Sequence, residues 1–455
     1  MILLLNPRAT RPKNRRFPLS LLALGAALPD GVPWEILDGN LPDADLREET
    51  ARRIRDASGT DDPVTLIGMT VMPGPQLVAA VPLARDLKER FPSIPIVWGG
   101  YFPSLYPKPV LRAPYVDFLA RGQGERTLVA LLDVLAGRGA VETVPGLGWK
   151  DGAGEHLNPE RVWEGPDAFP EPPWRRLDVD TYLHETALGR RNGVYQASIG
   201  CPYTCNFCGV ISMLGSREKF EAPERTEKNL RYLRDRHGLD AVHFYDNNFF
   251  LKEAHARELL ERMTPLGLKW WCEARIDAML AFSDATWASA KRAGLSMVFF
   301  GAESGSDETL RKMSKNLTTD QTLAVAAKTK EFGIVPEFSF VFGDPDDAER
   351  DVTTSLDFVE KLAGVNPDMK LITYFYTPTP QRRGTYGNVD ALSTTPATLE
   401  EWTTPEWAGW MTHEDPLVPW LPRKLKARVE DFARMLKGGL VPSDSQAYGH
   451  LRPAT

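Results

Sequence analysis

Cysteine is scarce in this sequence. Four occur in 455 residues: Cys201, Cys205, Cys208 and Cys272. A disulfide scaffold spreads many cysteines along a chain, so that class is excluded. Long apolar runs are missing too. The opening Met1-Ile2-Leu3-Leu4-Leu5 stops at Asn6-Pro7, too short for a secretory signal core. The next apolar stretch, Leu19 to Leu28, falls well below a membrane span. Positive charge is not in excess: 54 Lys and Arg against 61 Asp and Glu give a net charge of −7. That balance gives no support to general nucleic-acid or anionic-membrane binding. No histidine precedes His156, and there is no solenoid repeat or long low-complexity tract. These absences predict a cytoplasmic protein with no nucleic-acid partner and no membrane span.

The remainder reads as an α/β protein. Apolar residues make up 42% and charged residues 25%, ordinary for a globular chain. At about 150 residues per domain the length suggests two to four domains. Residues 1–145 alternate short apolar strands (Ile2–Asn6, Trp34–Leu37, Val64–Val71, Ile94–Trp98, Val116–Ala120) with amphipathic helices. This pattern predicts a doubly wound, Rossmann-like parallel sheet with helices on both faces. Ligands bind such sheets beyond the carboxyl ends of the strands. Those ends carry Asn6, Thr70, Gly99-Gly100 and Gly122-Gln123-Gly124. Residues 146–190 are proline-rich and predict a linker. A second alternation over 191–385 offers six strand–helix repeats and predicts a partial (β/α)6 barrel, TIM-type, with its site at the carboxyl strand ends. Residues 386–455 lose the repeat, carry Trp402, Trp407, Trp410 and Trp420, and predict a short, mainly helical cap over a substrate pocket.

Three of the four cysteines lie in Gly200-Cys201-Pro202-Tyr203-Thr204-Cys205-Asn206-Phe207-Cys208, spaced C-x3-C-x2-C. Three thiolates from one short loop suit a single soft metal centre in a reducing compartment. An iron–sulfur cube held by three cysteines leaves one iron for another ligand. A structural zinc site wants four protein ligands, and Cys272 could complete one. A lone strand cysteine is more often a small buried residue. Glu303 could equally be an ordinary strand-end carboxylate paired with Arg275, and Asp246 and Asn247 could simply cap a turn.

The cysteine spacing at the top of the first repeat resembles the radical S-adenosylmethionine (SAM) enzymes. So do Phe244-Tyr245-Asp246-Asn247-Asn248-Phe249, Glu273-Ala274-Arg275-Ile276-Asp277, Gly301-Ala302-Glu303-Ser304-Gly305-Ser306 with Leu310-Arg311-Lys312-Met313-Ser314-Lys315, and Phe342-Gly343-Asp344-Pro345. The segment Tyr376-Thr377-Pro378-Thr379-Pro380 resembles the sixth strand, but the familiar Pro-Gly-Thr is replaced by Pro380-Gln381-Arg382-Arg383-Gly384-Thr385. In the first domain, Val97-Trp98-Gly99-Gly100-Tyr101-Phe102-Pro103 and Gly122-Gln123-Gly124-Glu125 resemble the B12-binding domain of one radical SAM branch.

The resemblance implies a [4Fe–4S] cluster on Cys201, Cys205 and Cys208. It implies SAM contacts from Tyr203, Phe207, Asp246, Asn247, Arg275, Glu303 and Ser304. It also implies cobalamin contacts from Asn6, Thr70, Val71, Met72, Gly99, Gly100, Tyr101, Gly122, Gln123, Gly124 and Glu125. Mutase-type cobalamin domains carry Asp-x-His-x-x-Gly after the first strand; here Asn6-Pro7-Arg8-Ala9-Thr10 stands there. Cobalamin would therefore bind without a lower histidine from this domain, and Thr70, Val71 and Met72 are the candidates to face cobalt. The implied function is methylation of an unactivated carbon of a small-molecule substrate, of natural-product, lipid or tetrapyrrole type. An electron from a reduced flavodoxin- or ferredoxin-type donor would cleave SAM, and methylcobalamin would supply the methyl group. The alternatives are oxidative cyclisation or ring contraction with the same cofactors, and a non-catalytic cobalamin and metal sensor.

Overall fold

The computed structural model describes residues 1–381, 384–389 and 395–436. It divides into two compact units: Met1–Tyr182 with the described part of Thr394–Thr412, and the described parts of Leu183–Ser393 and His413–Gly449.

The first unit is built on a seven-stranded sheet. Its strands are β1 (Ile2–Asn6), β2 (Trp34–Asp38), β3 (Leu66–Thr70), β4 (Ile96–Gly99), β5 (Phe118–Ala120), β6 (Leu147–Asp151) and β7 (Gly154–Leu157). The order is β2-β1-β3-β4-β5-β6-β7, with the first five parallel. This is the doubly wound arrangement, with its switch between β1 and β3. Alternate residues face opposite sides. Ile2, Leu4, Leu66 and Val97 pack with Leu21, Leu128 and Leu131 in one apolar layer. Leu3, Leu5, Ile67, Met69 and Trp98 are buried on the other side.

Two readings from the sequence differ from this unit. Residues 146–190 open with structure rather than linker: β6 and β7 form an antiparallel hairpin that extends the sheet beyond β5. The Asp151-Gly152-Ala153-Gly154 turn joins them, just ahead of the proline-rich stretch. The tryptophan-rich tail is not one cap. Trp402 is fully buried in the first unit, against Phe102 (centroids 5.2 Å apart) and Tyr106 (4.7 Å). Glu400 bonds Arg85 and Tyr115 there. From His413 the chain belongs to the second unit, where the helix Arg423–Met435 packs on the helix Ala348–Val365.

The second unit carries a six-stranded, all-parallel sheet. In spatial order it runs β15 (Lys370–Phe375), β14 (Val335–Phe342), β13 (Leu295–Glu303), β12 (Lys269–Ala274), β11 (Ala241–Phe244), β8 (Asn192–Tyr195). Helices follow the first five of these strands in chain order, and the helix Arg423–Met435 packs on β15, as expected of a partial (β/α)6 barrel. The row Phe244, Cys272, Phe300, Phe338 and Phe340 is fully buried on one face. The short strands β9 (Ser198–Cys201) and β10 (Arg217–Phe220) form a separate antiparallel pair beyond the end of β8. The cysteine loop therefore leaves from β9, not directly from the first barrel strand.

Asp351, on the helix Ala348–Val365, accepts from the backbone N–H of Gly343 (2.8 Å) and Asp344 (3.3 Å) after β14. Burial pushes its carboxyl up to about 6. Its folded pKa thus lies above the ordinary carboxyl value of 3.8, so the folded state holds the proton more tightly. The stabilisation is complete at acid pH and is lost as pH rises from about 4 to about 6. Asp351→Asn keeps an acceptor for both N–H groups and removes the titration. Urea unfolding should show the wild type losing up to about 3 kcal/mol relative to this variant across that window. Parallel stability–pH curves would refute this.

Candidate functional site

The carboxyl ends of β8, β11, β12 and β13 lie on one edge of the parallel sheet, and the cysteine loop is fastened there. Asp246, Asn247 and Asn248 follow β11. Asp246 Oδ2 accepts from Ala197 N–H (3.1 Å), and Asn247 Oδ1 from Gly200 N–H (3.0 Å). Asn248 Oδ1 accepts from Arg275 N–H (3.1 Å). The three side chains thus bind the approach to Cys201 and the end of β12 to the end of β11. Burial pushes the Asp246 carboxyl up to about 7. On the far side of the loop, Asn206 N–H donates to Met313 O (3.2 Å) and Asn206 Nδ2 to Lys312 O (2.9 Å). Thr379 Oγ1 bonds Phe207 O, and Gln381 Nε2 bonds Cys208 O. Arg382 and Arg383, in the departing sixth-strand segment, lie outside the described residues.

Cys205 is buried; Cys201 and Cys208 are half-buried. Burial pushes the Cys208 thiol up to about 12 and raises that of Cys201. Thiols in this setting ionise when a metal replaces the proton. Among the described residues no three His, Cys, Asp or Glu side chains converge as a single-ion site requires. A structural zinc site takes four protein ligands, whereas three thiols from one loop suit an iron–sulfur cluster. Cys272 does not join it: the thiol is fully buried in β12, and the charges acting on it are Asp246 and Glu273. Three cysteines in one loop, with no fourth beside them, fit a cluster that keeps one iron open.

Gly200, just before Cys201, has φ +88°, and a Cβ built there would fall 2.2 Å from Arg217 O on β10. Gly200→Ala is expected to destabilise the second unit by at least about 1–3 kcal/mol from backbone strain alone. Denaturant unfolding checks this, and an unchanged midpoint would contradict it.

Arg275 caps β12. It is 6% exposed. Its Nε and Nη2 donate to both oxygens of Asp277 (2.9 and 3.0 Å), Nη2 also to Lys315 O (2.6 Å), and Nη1 to Cys205 Sγ (3.4 Å). The ring of Tyr203 lies over the guanidinium at 3.7 Å. Burial opposes its charge, but the bonds to Asp277 and the charges of Asp277, Cys205 and Tyr203 together outweigh it and raise its pKa. Four of its five N–H donors are therefore in use.

Glu303 ends β13 in the left-handed region, φ +65°, an uncommon conformation for a residue with a Cβ. Its carboxylate is buried and pairs with Lys315 Nζ at 2.6 Å. Ser314 and Asn316, either side of Lys315, also have positive φ (52° and 51°). Three left-handed residues around one buried ion pair mark a strained, over-determined site. Lys315 Nζ also lies 6.0 Å from the ring centre of Phe207. Ser304 sits differently from its neighbour. Its hydroxyl faces Asp351 (3.4 Å) and Ser355 (3.3 Å) on the helix Ala348–Val365. The structure thus gathers Tyr203, Phe207, Asp246, Asn247, Arg275 and Glu303 around the cysteine loop. It adds Lys315, Asp277 and Asn248, whose roles as charge partner, fork and clamp had no separate signal in the sequence.

In the first unit, Val71 N–H donates to Gly99 O (2.8 Å) and Phe102 N–H to Val71 O (3.0 Å). This joins the loops after β3 and β4. Gly100 has φ +100°, and a Cβ there would press on Val71 N and O at 3.1 Å. Val71 itself is fully buried, whereas Thr70 and Met72 are partly exposed. Ser104 Oγ bonds Gly122 N–H (3.0 Å), bringing in the loop after β5. Gln123 is buried and its amide pairs with both backbone groups of Glu164, and Glu125 opens the next helix. Asn6 Oδ1 accepts from Gln76 Nε2, whose oxygen accepts from Met72 N–H. Tyr101 begins the short helix after Gly100. His156 lies on β7 of the hairpin, stacked on Trp149. No histidine stands at the ends of β1 to β5, so the donor set there fits a corrinoid bound without one.

Comparison with known proteins agrees with this arrangement. Residues 195–359 match the model of the radical SAM superfamily, and residues 8–132 match that of the B12 binding domain. An uncharacterized methyltransferase of Pyrococcus horikoshii is 28% identical over 349 residues, covering 76% of this chain and 73% of the relative. The anaerobic magnesium-protoporphyrin IX monomethyl ester cyclase of a Synechocystis species is 25% identical over 390 residues, covering 83% and 75%. Among solved structures, the radical SAM methyltransferase TsrM of Kitasatospora setae, with tryptophan and a SAM analogue bound, superposes with a TM-score of 0.66 at 20% identity. That match covers 82% of this chain and 72% of TsrM.

Proposed function

The chain belongs to the radical SAM superfamily, in the branch with an N-terminal B12-binding domain, and from that premise we propose that it is a methyltransferase acting on an unactivated carbon of a small molecule. The observation that carries the reading is the three-thiol loop, Cys201, Cys205 and Cys208, fastened beside the strained Glu303–Lys315 pair at the carboxyl edge of the parallel sheet. In this reading the three thiols hold a [4Fe–4S] cluster and Glu303 faces SAM. Thr70, Met72, Gly99, Gly100, Tyr101 and the 122–125 loop hold cobalamin. With those groups bound, the cluster supplies an electron to SAM and cobalamin supplies the methyl group.

The chain's own part is positioning and exclusion of water. Asp246 and Asn247 hold the approach to the cysteine loop, and Asn248 the end of β12, at the end of β11. Lys315 holds the Glu303 carboxylate in place at 2.6 Å, so it can accept from a hydroxyl or ammonium group without reorganising. The electron donor is a reduced flavodoxin or ferredoxin. No described helix is long and apolar enough to cross a membrane, and we place the enzyme in the reducing cytoplasm, where such thiols persist.

The similarity to the magnesium-protoporphyrin ester cyclase, over 83% of this chain, supports a second reading: oxidative ring closure with the same cofactors. One experiment separates the two. The chain is purified without oxygen, its iron, sulfide and cobalamin are quantified, and it is then given SAM, a reductant and candidate substrates. Methylation adds CH2 to the product mass, whereas cyclisation removes hydrogen. A preparation with full cofactors that forms no deoxyadenosine would count against both.

A further inference from the structure

The geometry points to Arg275 as the residue that sets the reduction potential of the cluster on Cys205, rather than as a contact of SAM. This inference rests on the proposed function above. The guanidinium is oriented from three sides. Asp277 takes two of its N–H groups, Lys315 O takes a third, and the Tyr203 ring covers one face at 3.7 Å. What this arrangement leaves aimed at a reacting group is Nη1, 3.4 Å from Cys205 Sγ. The backbone of Arg275 is held as well, through its N–H on Asn248 Oδ1. The side chain therefore cannot swing towards a substrate carboxylate without breaking several bonds.

A fixed cation that donates to a cluster thiolate stabilises the more negative, reduced cluster. Hydrogen bonds to the sulfurs and nearby charge are two of the levers that set iron–sulfur potentials. Arg275 is 6% exposed, so solvent screens the interaction little. Asp277 partly offsets the charge, and the Lys315 ammonium is engaged by Glu303. Arg275 is then the one described side chain placed to donate to Cys205 Sγ. It acts on the chemistry through the cluster, which makes it a positioning residue. A lysine carries the charge but lacks the planar fork that Asp277 orients.

The test is potentiometric titration, read by electron paramagnetic resonance, of the full chain reconstituted anaerobically with iron and sulfide. Wild type, Arg275→Gln and Arg275→Lys are compared, and SAM binding is followed by its perturbation of the same spectrum. At the wild-type midpoint, Arg275→Gln should show a reduced-to-oxidised ratio about tenfold lower, a shift of about 59 mV for one electron. Arg275→Lys should fall between the two, and SAM affinity should hold in both. An unchanged potential at full iron content overturns the inference. So does weakened SAM binding at unchanged potential. If Arg275→Gln takes up no iron, Arg275→Lys decides on the same criterion. If neither takes up iron, Arg275 is a structural pillar and the inference falls. A wild type that never shows a cluster signal refutes the functional reading itself, a distinguishable failure.

Discussion

Cys205→Ala should abolish SAM cleavage, lowering deoxyadenosine formation to that of a boiled control. Cys205 is the buried member of the three thiols and the one that Arg275 addresses. Two remaining cysteines cannot hold a cube that needs three, so iron should fall from about four per chain towards none. The fold should survive. The substitution removes one sulfur, while Asn206 and Asn247 keep their bonds to the loop. Cobalamin content should be unchanged, because the residues proposed to hold it all lie in Met1–Tyr182. Iron and sulfide analysis beside circular dichroism reads both halves of the expectation. A Cys205→Ala protein with full iron and full SAM cleavage would remove the basis of the assignment. Cys272→Ala is the control: that thiol lies inside the sheet and its loss should leave iron content as it was.

Lys315→Met carries the second large effect, on stability. Lys315 and Glu303 are both under 10% exposed, and their charges meet at 2.6 Å. Removing the cation leaves a carboxylate with little water to solvate it, which costs about 3–5 kcal/mol. The strain makes relief difficult, since Glu303, Ser314 and Asn316 are all held at positive φ. Denaturant unfolding of the metal-free chain measures the loss. The double variant Glu303→Gln with Lys315→Met should recover much of it, because no unpaired charge then remains. If the single variant is as stable as the wild type, the pair is not buried in solution as the geometry requires. If the double variant is as unstable as the single, packing rather than charge explains the loss.

Several features are legible in the sequence alone. The C-x3-C-x2-C spacing is a local signal, since eight consecutive residues place three thiols in one loop whatever surrounds them. The strands were legible because parallel, fully buried strands are short apolar runs between turn residues, and β1 falls on Ile2–Asn6 as expected. Other features were not. The hairpin of β6 and β7 is short, half-exposed and overshadowed by the prolines after it, so its alternation was weak. Trp402 gave no hint of its partners, because Phe102 and Tyr106 stand about 300 residues away in sequence. Lys315 lies in the Leu310–Lys315 segment, yet nothing local distinguishes it from Lys312, which pairs with Asp344 and Asp346 nearer the surface.

By itself, the sequence determined the class of chemistry and its scaffold: two α/β units, one cysteine loop, and a first unit without histidine at its ligand edge. These follow from composition and local spacing, which no packing can alter. The tertiary structure decided which side chains serve the loop. The resemblance implies a SAM contact from Arg275, and the structure places its Nη1 on Cys205 Sγ. The resemblance implies a SAM contact from Ser304, and the structure places its hydroxyl near Asp351 and Ser355. The physical reason is that a hydrogen bond or buried ion pair depends on distances of about 3 Å between strand ends far apart in the chain. Only the register of the sheet and the left-handed turns at its edge set those distances.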